Sequence, residues 1–264
     1  MNEKLIEAIK KVTQLQGTAS FENEIRTYLK DVLPPYVDEI QTDGLGGIFG
    51  IKYSKVENAP TVMVAAHMDE VGFMISEITE HGFFHVVPIG GWNPYVVQAQ
   101  RFSLITRIGK KYPVISSSVP PHLLRGTDGT QKFQISDILF DAGFEDAKEV
   151  KDFGIEIGDF IIPETEPIIS ANGKNMLAKA WDNRYGIMMI TEALKTLKDI
   201  DLAVNLVIGA NVQEEVGLRG AHISTTKFNP DLFIAVDCSP ADDLDKANGN
   251  GPLGKGPIIR LYDP

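Results

Sequence analysis

The apolar segment at residues 202–210, LAVNLVIGA, most constrains the fold because it is apolar at nearly every position rather than at alternate ones. A strand of this kind is buried on both faces and lies in a sheet covered by helices on each side. Two further apolar segments, 61–66 and 232–236, have the same character, and residues 183–197 have helical spacing. The sequence therefore predicts an α/β fold with a mixed sheet and helices on both faces.

The organisation of the chain changes twice along its length. Residues 1–33 predict two helices, broken near Gly17 and ended by Pro34–Pro35, and a strand pair follows around residues 44–47. Short alternating segments separated by Gly and Pro then predict an inserted, β-rich, barrel-like domain at 70–167, with a helix over 135–142. The α/β domain is accordingly expected to be discontinuous, comprising residues 1–69 and 168–264.

Composition excludes several classes of partner. The net charge of −11 argues against binding to a nucleic-acid backbone, which needs a basic face. No apolar run reaches the roughly 18 to 20 residues that span a bilayer, so we expect no membrane association. The single cysteine, Cys238, fits a reducing compartment. These features predict a cytoplasmic protein.

Acidic and imidazole side chains stand where the predicted strands end or where the helix begins. Six residues share this position: His67, Asp69, Asp182, Glu214, Glu215 and Asp237. In open α/β sheets, ligand sites collect beyond the carboxyl ends of the strands. Adjacent carboxylates repel each other unless solvent or a cation lies in front of them. One imidazole with several carboxylates suits zinc, cobalt or manganese better than calcium, which avoids nitrogen ligands.

Each of these residues taken alone also has a structural interpretation. Asp182 alone is better explained as the N-cap of the helix that follows it than as a ligand, and Asp237 could cap a turn. Glu214 and Glu215 would also suit a solvated loop. In an extended chain Asp69 projects to the same side as residue 67, where it could accept a hydrogen bond from one imidazole nitrogen while the other binds a metal.

Four motifs, AAHMDEVGFMI, AKAWDNRYG, VQEEVGLRGA and AVDCSPADD, occur in this order and resemble the tetrahedral aminopeptidases, most closely the bacterial glutamyl aminopeptidases. The segments IGGW, SSVPPHLL and GIEIGDFIIP extend this similarity along the whole chain. The resemblance implies a metallopeptidase domain that removes N-terminal Glu or Asp from short peptides. It also implies a homo-oligomer, in which dimers formed through the inserted domain build a tetrahedral dodecamer.

The resemblance further implies two divalent metal ions per subunit, with zinc or cobalt expected and manganese also suitable. Asp182 would bridge the two ions, His67 and Asp237 would complete one site, and Glu215 would ligate the second ion. These four residues are the expected metal ligands.

Two further residues receive catalytic roles from the resemblance. Glu214 would be the general base that takes a proton from the attacking water and passes it to the leaving amine. Asp69 would orient the imidazole of His67 without contacting the metal.

The sequence departs from the family pattern in two places. Asn183 stands where some relatives have a second acid after the bridging aspartate, a change expected to do little harm. The family also places a fifth ligand, a histidine, beyond the residues present here, and none of the remaining histidines matches it: His81, His85, His122 and His222. We therefore expect a C-terminally truncated chain that holds one metal well and the other poorly.

Three questions stay open at the level of sequence. The cation that would select acidic residues could be Arg184, Arg219 or Arg260. The chain could be an inactive or scaffold-like fragment. It could also be a glycoside hydrolase, which needs two carboxyl groups about 5 to 10 Å apart but neither a histidine nor a metal.

Overall fold

The computed structural model describes residues 3–118, 133–241 and 251–260. Within these residues the α-helices are α1 (Glu3–Gln14), α2 (Asn23–Val32), α3 (Ala147–Asp152), α4 (Trp181–Thr196) and α5 (Arg219–Phe228). The strands are β1 (Glu39–Thr42), β2 (Ile48–Lys52), β3 (Thr61–His67), β4 (Gly72–Ile78), β5 (Phe84–Ile89), β6 (Arg101–Ile105), β7 (Lys111–Ser116), β8 (Phe140–Asp141), β9 (Phe160–Pro163), β10 (Ile168–Ile169), β11 (Met176–Leu177), β12 (Asn205–Asn211) and β13 (Leu232–Ala235). No described helix combines the length and apolar character that crossing a bilayer requires.

A five-stranded mixed sheet in the order β1-β2-β12-β3-β13 carries the predicted α/β fold. Strand β3 pairs in parallel with β12 and with β13, whereas β2 is antiparallel to both of its neighbours. In the register of β3 with β12, His67 lies opposite Asn211. The carboxyl ends of the three parallel strands therefore lie at the same end of the sheet, where β13 stops two residues before the end of β3.

Helices cover both faces of this sheet, as predicted. Alternate residues of the central strands point to opposite sides, so Ala66 and Ile208 belong to one core, and Ala65 and Val207 to the other. The first core is shared with α1, α2 and α4, and the second with Phe228 at the end of α5. Burial of each large aliphatic side chain stabilises the fold by roughly 1.5–3 kcal/mol, so the two layers fix the sheet between them.

The predicted inserted β structure is a closed barrel with strand order β4-β5-β8-β7-β6-β9. Its core is aromatic: the ring of Phe73 stacks on Trp92 with centroids 4.6 Å apart and lies 5.1 Å from the ring of Phe140. Closure removes the free sheet edges that would otherwise invite aggregation. The barrel strands lie between residues 72 and 163, and the domain boundaries at 69/70 and 167/168 stay a prediction.

The helix predicted over 135–142 is wrong. The chain forms one 3-10 turn at Ile135–Asp137 and then the short strand β8, in which Phe140 pairs with Phe84 and packs into the barrel core. Barrel pairing therefore overrides the local signal. The helix of this region is α3, which begins after Asp146, whose side chain accepts the N–H of Glu149 at 2.8 Å.

Strand β13 differs from the prediction in its burial. It is the edge strand of the sheet, and Leu232 and Ile234 are 53% and 44% exposed. The apolar segment predicted a strand covered on both faces, but among the described residues β13 pairs on one side only, with β3. Its place at the edge accounts for the difference.

Candidate metal centre

Acidic and imidazole side chains lie at the carboxyl ends of the three parallel strands. His67 is the last residue of β3, Glu214 and Glu215 follow β12, and Asp237 follows β13. Asp182, in the first turn of α4, joins them from the helix that packs against β3. The topology thus brings together all five residues that the sequence placed near a metal.

His67 lies at the centre of this group and is 3% exposed. Its Nε2 is 2.9 Å from Oδ1 of Asp182, 3.6 Å from Oδ1 of Asp237 and 3.8 Å from Oε2 of Glu214. The ligand atoms of His67, Asp182 and Asp237 all lie within 4.8 Å of one another, and so do those of His67, Glu214 and Glu215. The imidazole is therefore shared by two potential metal-binding clusters.

Asp69 fixes the ring of His67, though its carboxylate is not the nearest acceptor. Nδ1 of His67 lies 3.0 Å from the backbone carbonyl oxygen of Asp69 and 3.4 Å from its carboxylate Oδ1. Donation from Nδ1 to this carbonyl leaves Nε2 facing the carboxylates. The Asp69 carboxylate, which is fully buried, instead accepts the backbone N–H groups of Glu214 and Glu215, each at 3.0 Å.

Asn183, rather than Asp182, caps helix α4. The backbone angles at Asp182 and Asn183 are not helical, and Oδ1 of Asn183 accepts the N–H of Gly186 at 2.9 Å, as an N-cap does. Nδ2 of Asn183 donates to the carbonyl of Val236 at 2.8 Å, next to Asp237. The capping interpretation of Asp182 is therefore wrong, and its carboxylate is free to face His67.

The electrostatics of the cluster follow from burial and from its excess of carboxylates. Burial lowers the pKa of His67, but hydrogen bonds to Asp182, Asp237 and Asp69 more than reverse this and raise the pKa well above its usual value. Burial raises the pKa of Glu214, and it raises the pKa of Glu215 to about 7.

The donor set fits a divalent transition metal. One buried imidazole and four carboxylates lie close together at one end of the sheet. The negative charges of the carboxylates would repel each other without a cation. Hydrogen bonding to His67 and the charge of its ring lower the pKa of Asp237 against the effect of burial. Nitrogen and oxygen ligands suit zinc, cobalt or manganese.

A cavity of about 390 Å³ adjoins the cluster, with Asp182 and Glu215 in its wall. Trp181 supplies an aromatic side chain, and Val71 and Pro163 close the cavity from the ends of the barrel. This space is large enough for one amino-acid side chain beside the carboxylates of Asp182 and Glu215, and it opens to solvent. It is the natural place for part of a substrate.

The sequence analysis missed a buried ion network at this cavity. Glu70, which lines the cavity, accepts hydrogen bonds from Nζ of Lys179 at 2.7 Å to each oxygen and from Nη2 of Arg184 at 3.1 Å. Arg184 is fully buried and also donates to the carbonyls of Met68 and Leu15, so it cannot contact a substrate directly. The motif HMDE already contained Glu70, but no spacing in the sequence joins it to Lys179.

The other arginines considered for specificity lie elsewhere. Arg219 is exposed at the start of α5, 3.5 Å from Oε1 of Gln213, and Arg260 contacts Oγ of Ser239 at 2.9 Å. His81, His85 and His222 belong to neither potential metal cluster, and His122 lies outside the described residues.

Cys238 is a partly buried thiol that contacts the backbone at the start of α4. Its Sγ lies 3.0 Å from the carbonyl oxygen of Trp181, and burial raises the pKa of the thiol to about 12. A protonated thiol of this kind is a poor nucleophile.

Comparison with known proteins gives consistent matches. The M42 glutamyl aminopeptidase family matches residues 46–264. The glutamyl aminopeptidase of Lactococcus lactis is 60% identical over 261 residues, which cover 98% of this chain and 73% of the relative. An aminopeptidase structure from the archaeon Desulfurococcus kamchatkensis superposes with a TM-score of 0.88 at 33% identity, covering 97% of this chain and 69% of that one. The Pyrococcus horikoshii TET1 peptidase, which can assemble into a tetrahedron or a large octahedral shell, superposes with a TM-score of 0.80 at 28% identity. The superposition covers 96% of this chain and 73% of that one.

Proposed function

This chain belongs to the M42 glutamyl aminopeptidase family, and from that membership we propose that it is a metal-dependent aminopeptidase releasing N-terminal Glu or Asp from short peptides. The observation that carries the proposal is the convergence of four carboxylates on His67, within reach of shared divalent ions. The family match and the central imidazole both favour a peptidase over a glycoside hydrolase, whose chemistry needs two carboxyl groups and no histidine.

Asp182 would bridge two divalent ions. His67 and Asp237, whose ligand atoms cluster with it, would complete one site, and Glu215 would ligate the other. When bound, divalent ions in such a site polarise the scissile carbonyl and lower the pKa of the attacking water. Zinc or cobalt fits these donors, and manganese is also suitable.

Glu214 would act as the general base. Its side chain lies within 3.8 Å of Nε2 of His67, and its backbone is held by Asp69. Glu214 accepts a proton from water as the C–O bond forms, and delivers it to the amine as the C–N bond breaks. Burial raises the pKa of Glu214, which brings the carboxyl group closer to the range in which it can both accept and return a proton.

The preference for acidic residues is supported by the ion network under the cavity. Lys179 and Arg184 bring two positive charges within hydrogen-bond distance of Glu70, and these charges partly offset the negative charge that Glu70, Asp182 and Glu215 bring to the cavity wall. A charge of this kind acts through space in a low-dielectric region, so it would favour a carboxylate in the cavity without touching it. The name of the Lactococcus lactis relative agrees with this preference.

The barrel is proposed to be the assembly domain, spanning residues 70–167, and the rest of the chain the peptidase domain. Its surface exposes apolar side chains, including Ile108 at 74%, Tyr95 and Ile115. The Pyrococcus horikoshii relative forms closed shells, which supports a homo-oligomer built from dimers, with a dodecamer as the expected form. Enclosure would restrict substrates to short, unfolded peptides.

The test is hydrolysis of chromogenic glutamyl, aspartyl, alanyl and lysyl substrates after reconstitution with zinc, cobalt or manganese. The proposal expects cleavage of the acidic substrates, lost on chelation and restored by metal. Hydrolysis that survives complete chelation would contradict the metal assignment. Equal rates on all four substrates would contradict the acidic preference while leaving aminopeptidase activity intact.

A further inference from the structure

Three consecutive backbone N–H groups at the end of β12 are held by two buried carboxylates. Asp69 accepts those of Glu214 and Glu215, each at 3.0 Å. Glu22, which immediately precedes α2, accepts the N–H of Gln213 through Oε1 at 3.2 Å. The segment that presents the two glutamates is therefore fixed from both sides.

The side chain of Glu22 is buried and accepts two backbone N–H groups. Its side chain is 2% exposed, and the same Oε1 accepts the N–H of Ser20 at 2.9 Å. The nearest cation is weakly placed, since Nη2 of Arg26 lies 4.0 Å from Oε2. Burying a carboxylate is costly unless hydrogen bonds compensate it, and here two backbone donors offset part of that cost.

The backbone at this contact is conformationally demanding. Gln213 has a φ of +54° and Ser20 a φ of +77°, both in the left-handed region that side chains with a Cβ disfavour. Such a conformation costs on the order of 1–3 kcal/mol and persists where surrounding contacts determine it. A second link supplies this support, because Nε2 of Gln213 donates to Oγ of Ser20 at 3.0 Å.

We propose that Glu22 is a positioning residue of the active site: it anchors Gln213 so that Glu214 and Glu215 face His67. The inference rests on the proposed function, which makes Glu214 the base and Glu215 a metal ligand. The α1–α2 connection thus has a role that neither the strand-end pattern nor the family motifs contain.

The direct test is backbone amide hydrogen exchange of the peptide that contains residues 212–217 in the metal-free 264-residue protein. Glu22→Ala is expected to accelerate exchange in this peptide about tenfold, as loss of a charge-assisted hydrogen bond predicts. Glu22→Gln keeps an acceptor oxygen and should restore near-wild-type exchange. The matched control is Glu24→Ala, which removes a carboxylate that accepts the N–H of Gln16 at 2.9 Å and should leave this peptide unchanged.

Zinc affinity and kinetics give the second readout. Glu22→Ala should weaken zinc binding about tenfold and lower kcat by a similar factor with KM nearly unchanged, because the loop that holds Glu215 and Glu214 is loosened. Wild-type exchange and zinc affinity in Glu22→Ala would overturn the proposal. The exchange measurement needs no peptidase activity, so failure of the proposed function remains distinguishable from failure of this inference.

If Glu22→Ala does not fold, Glu22→Asp replaces it, because the shorter side chain keeps the charge and moves the carboxylate away from the N–H of Gln213. It should raise exchange in the same peptide about threefold, as expected for a weakened hydrogen bond. Unchanged exchange in Glu22→Asp would then overturn the proposal.

Discussion

Nε2 of His67 lies 2.9 Å from Oδ1 of Asp182, although 115 sequence positions separate the two residues. The contact arises because β3 ends at the sheet edge against which the first turn of α4 packs. It also depends on Asn183, whose capping of α4 leaves the Asp182 carboxylate unused by the helix. The separation is that of a hydrogen bond between the two side chains.

Glu214→Gln should abolish most catalysis while retaining metal. The amide keeps the shape of the side chain but cannot accept the proton, so kcat should fall by roughly 10²–10⁴. Steady-state kinetics and elemental analysis on the same preparation provide the measurements. Glu57→Gln, at an exposed loop position, is the control. Turnover close to wild type in Glu214→Gln would remove the general-base assignment.

His67→Ala should release metal from the site that it completes with Asp182 and Asp237, because the imidazole is the nitrogen ligand of that site. Bound metal per chain after dialysis is the quantity to measure. His85→Ala, in β5 of the barrel, changes the same residue type outside both clusters and should keep the wild-type metal content. An unchanged metal content in His67→Ala would show that the imidazole is not a ligand.

Metal affinity should rise with pH through about 7. Burial raises the pKa of Glu215 from 4.5 to about 7, and the pKa of His67 is also raised, so both groups must release a proton before they bind metal. Competition titrations with a chelator at pH 6 and pH 8 would measure the change. Glu215→Gln should show a shallower dependence, and an affinity independent of pH in the wild type would contradict the prediction.

The stability of the metal-free protein should change with pH in the opposite direction. Between pH 4.5 and about 7 the folded protein keeps a proton on Glu215 that the unfolded chain releases, so stability falls as pH rises. His67 acts in the same direction, since its stabilisation is complete below pH 6.5 and is lost as pH passes its raised folded pKa. Urea denaturation across this range, with Glu215→Gln as the comparison, measures the slope. A metal-free protein that becomes more stable from pH 5 to 7 would contradict it.

Charge changes in the buried network should alter substrate preference in opposite directions. Lys179→Met removes one of the two positive charges next to Glu70 and should lower the ratio of kcat/KM for glutamyl over alanyl substrates several-fold. Glu70→Gln removes a negative charge from the cavity wall and should increase that ratio. Both variants need a check of stability, because breaking a buried pair costs about 3–5 kcal/mol. If this ratio changed in the same direction in both variants, the buried charges would not determine the preference for acidic residues.

Much of the fold was accessible from sequence because its signals are local. Continuous apolar segments predicted the central strands, and alternating segments predicted the barrel region. The sequence also predicted α1, α2 and α4, but not α3 or α5. The local signal failed at residues 135–142, where pairing of Phe140 with Phe84 in the barrel determines the structure. Long-range pairing of this kind leaves no periodicity to detect.

The sequence by itself determined which acidic and imidazole residues lie at the strand ends. Each strand end is marked in the sequence by a change from apolar to polar residues. Only the tertiary structure decided how those residues are held. Asn183 takes the capping role, Asp69 turns its carboxylate to the loop after β12, and Glu22 reaches Gln213 across 191 positions. Lys179 and Glu70 likewise meet across 109 positions. Hydrogen bonds between distant segments depend on packing geometry and not on spacing along the chain, so no local pattern encodes them.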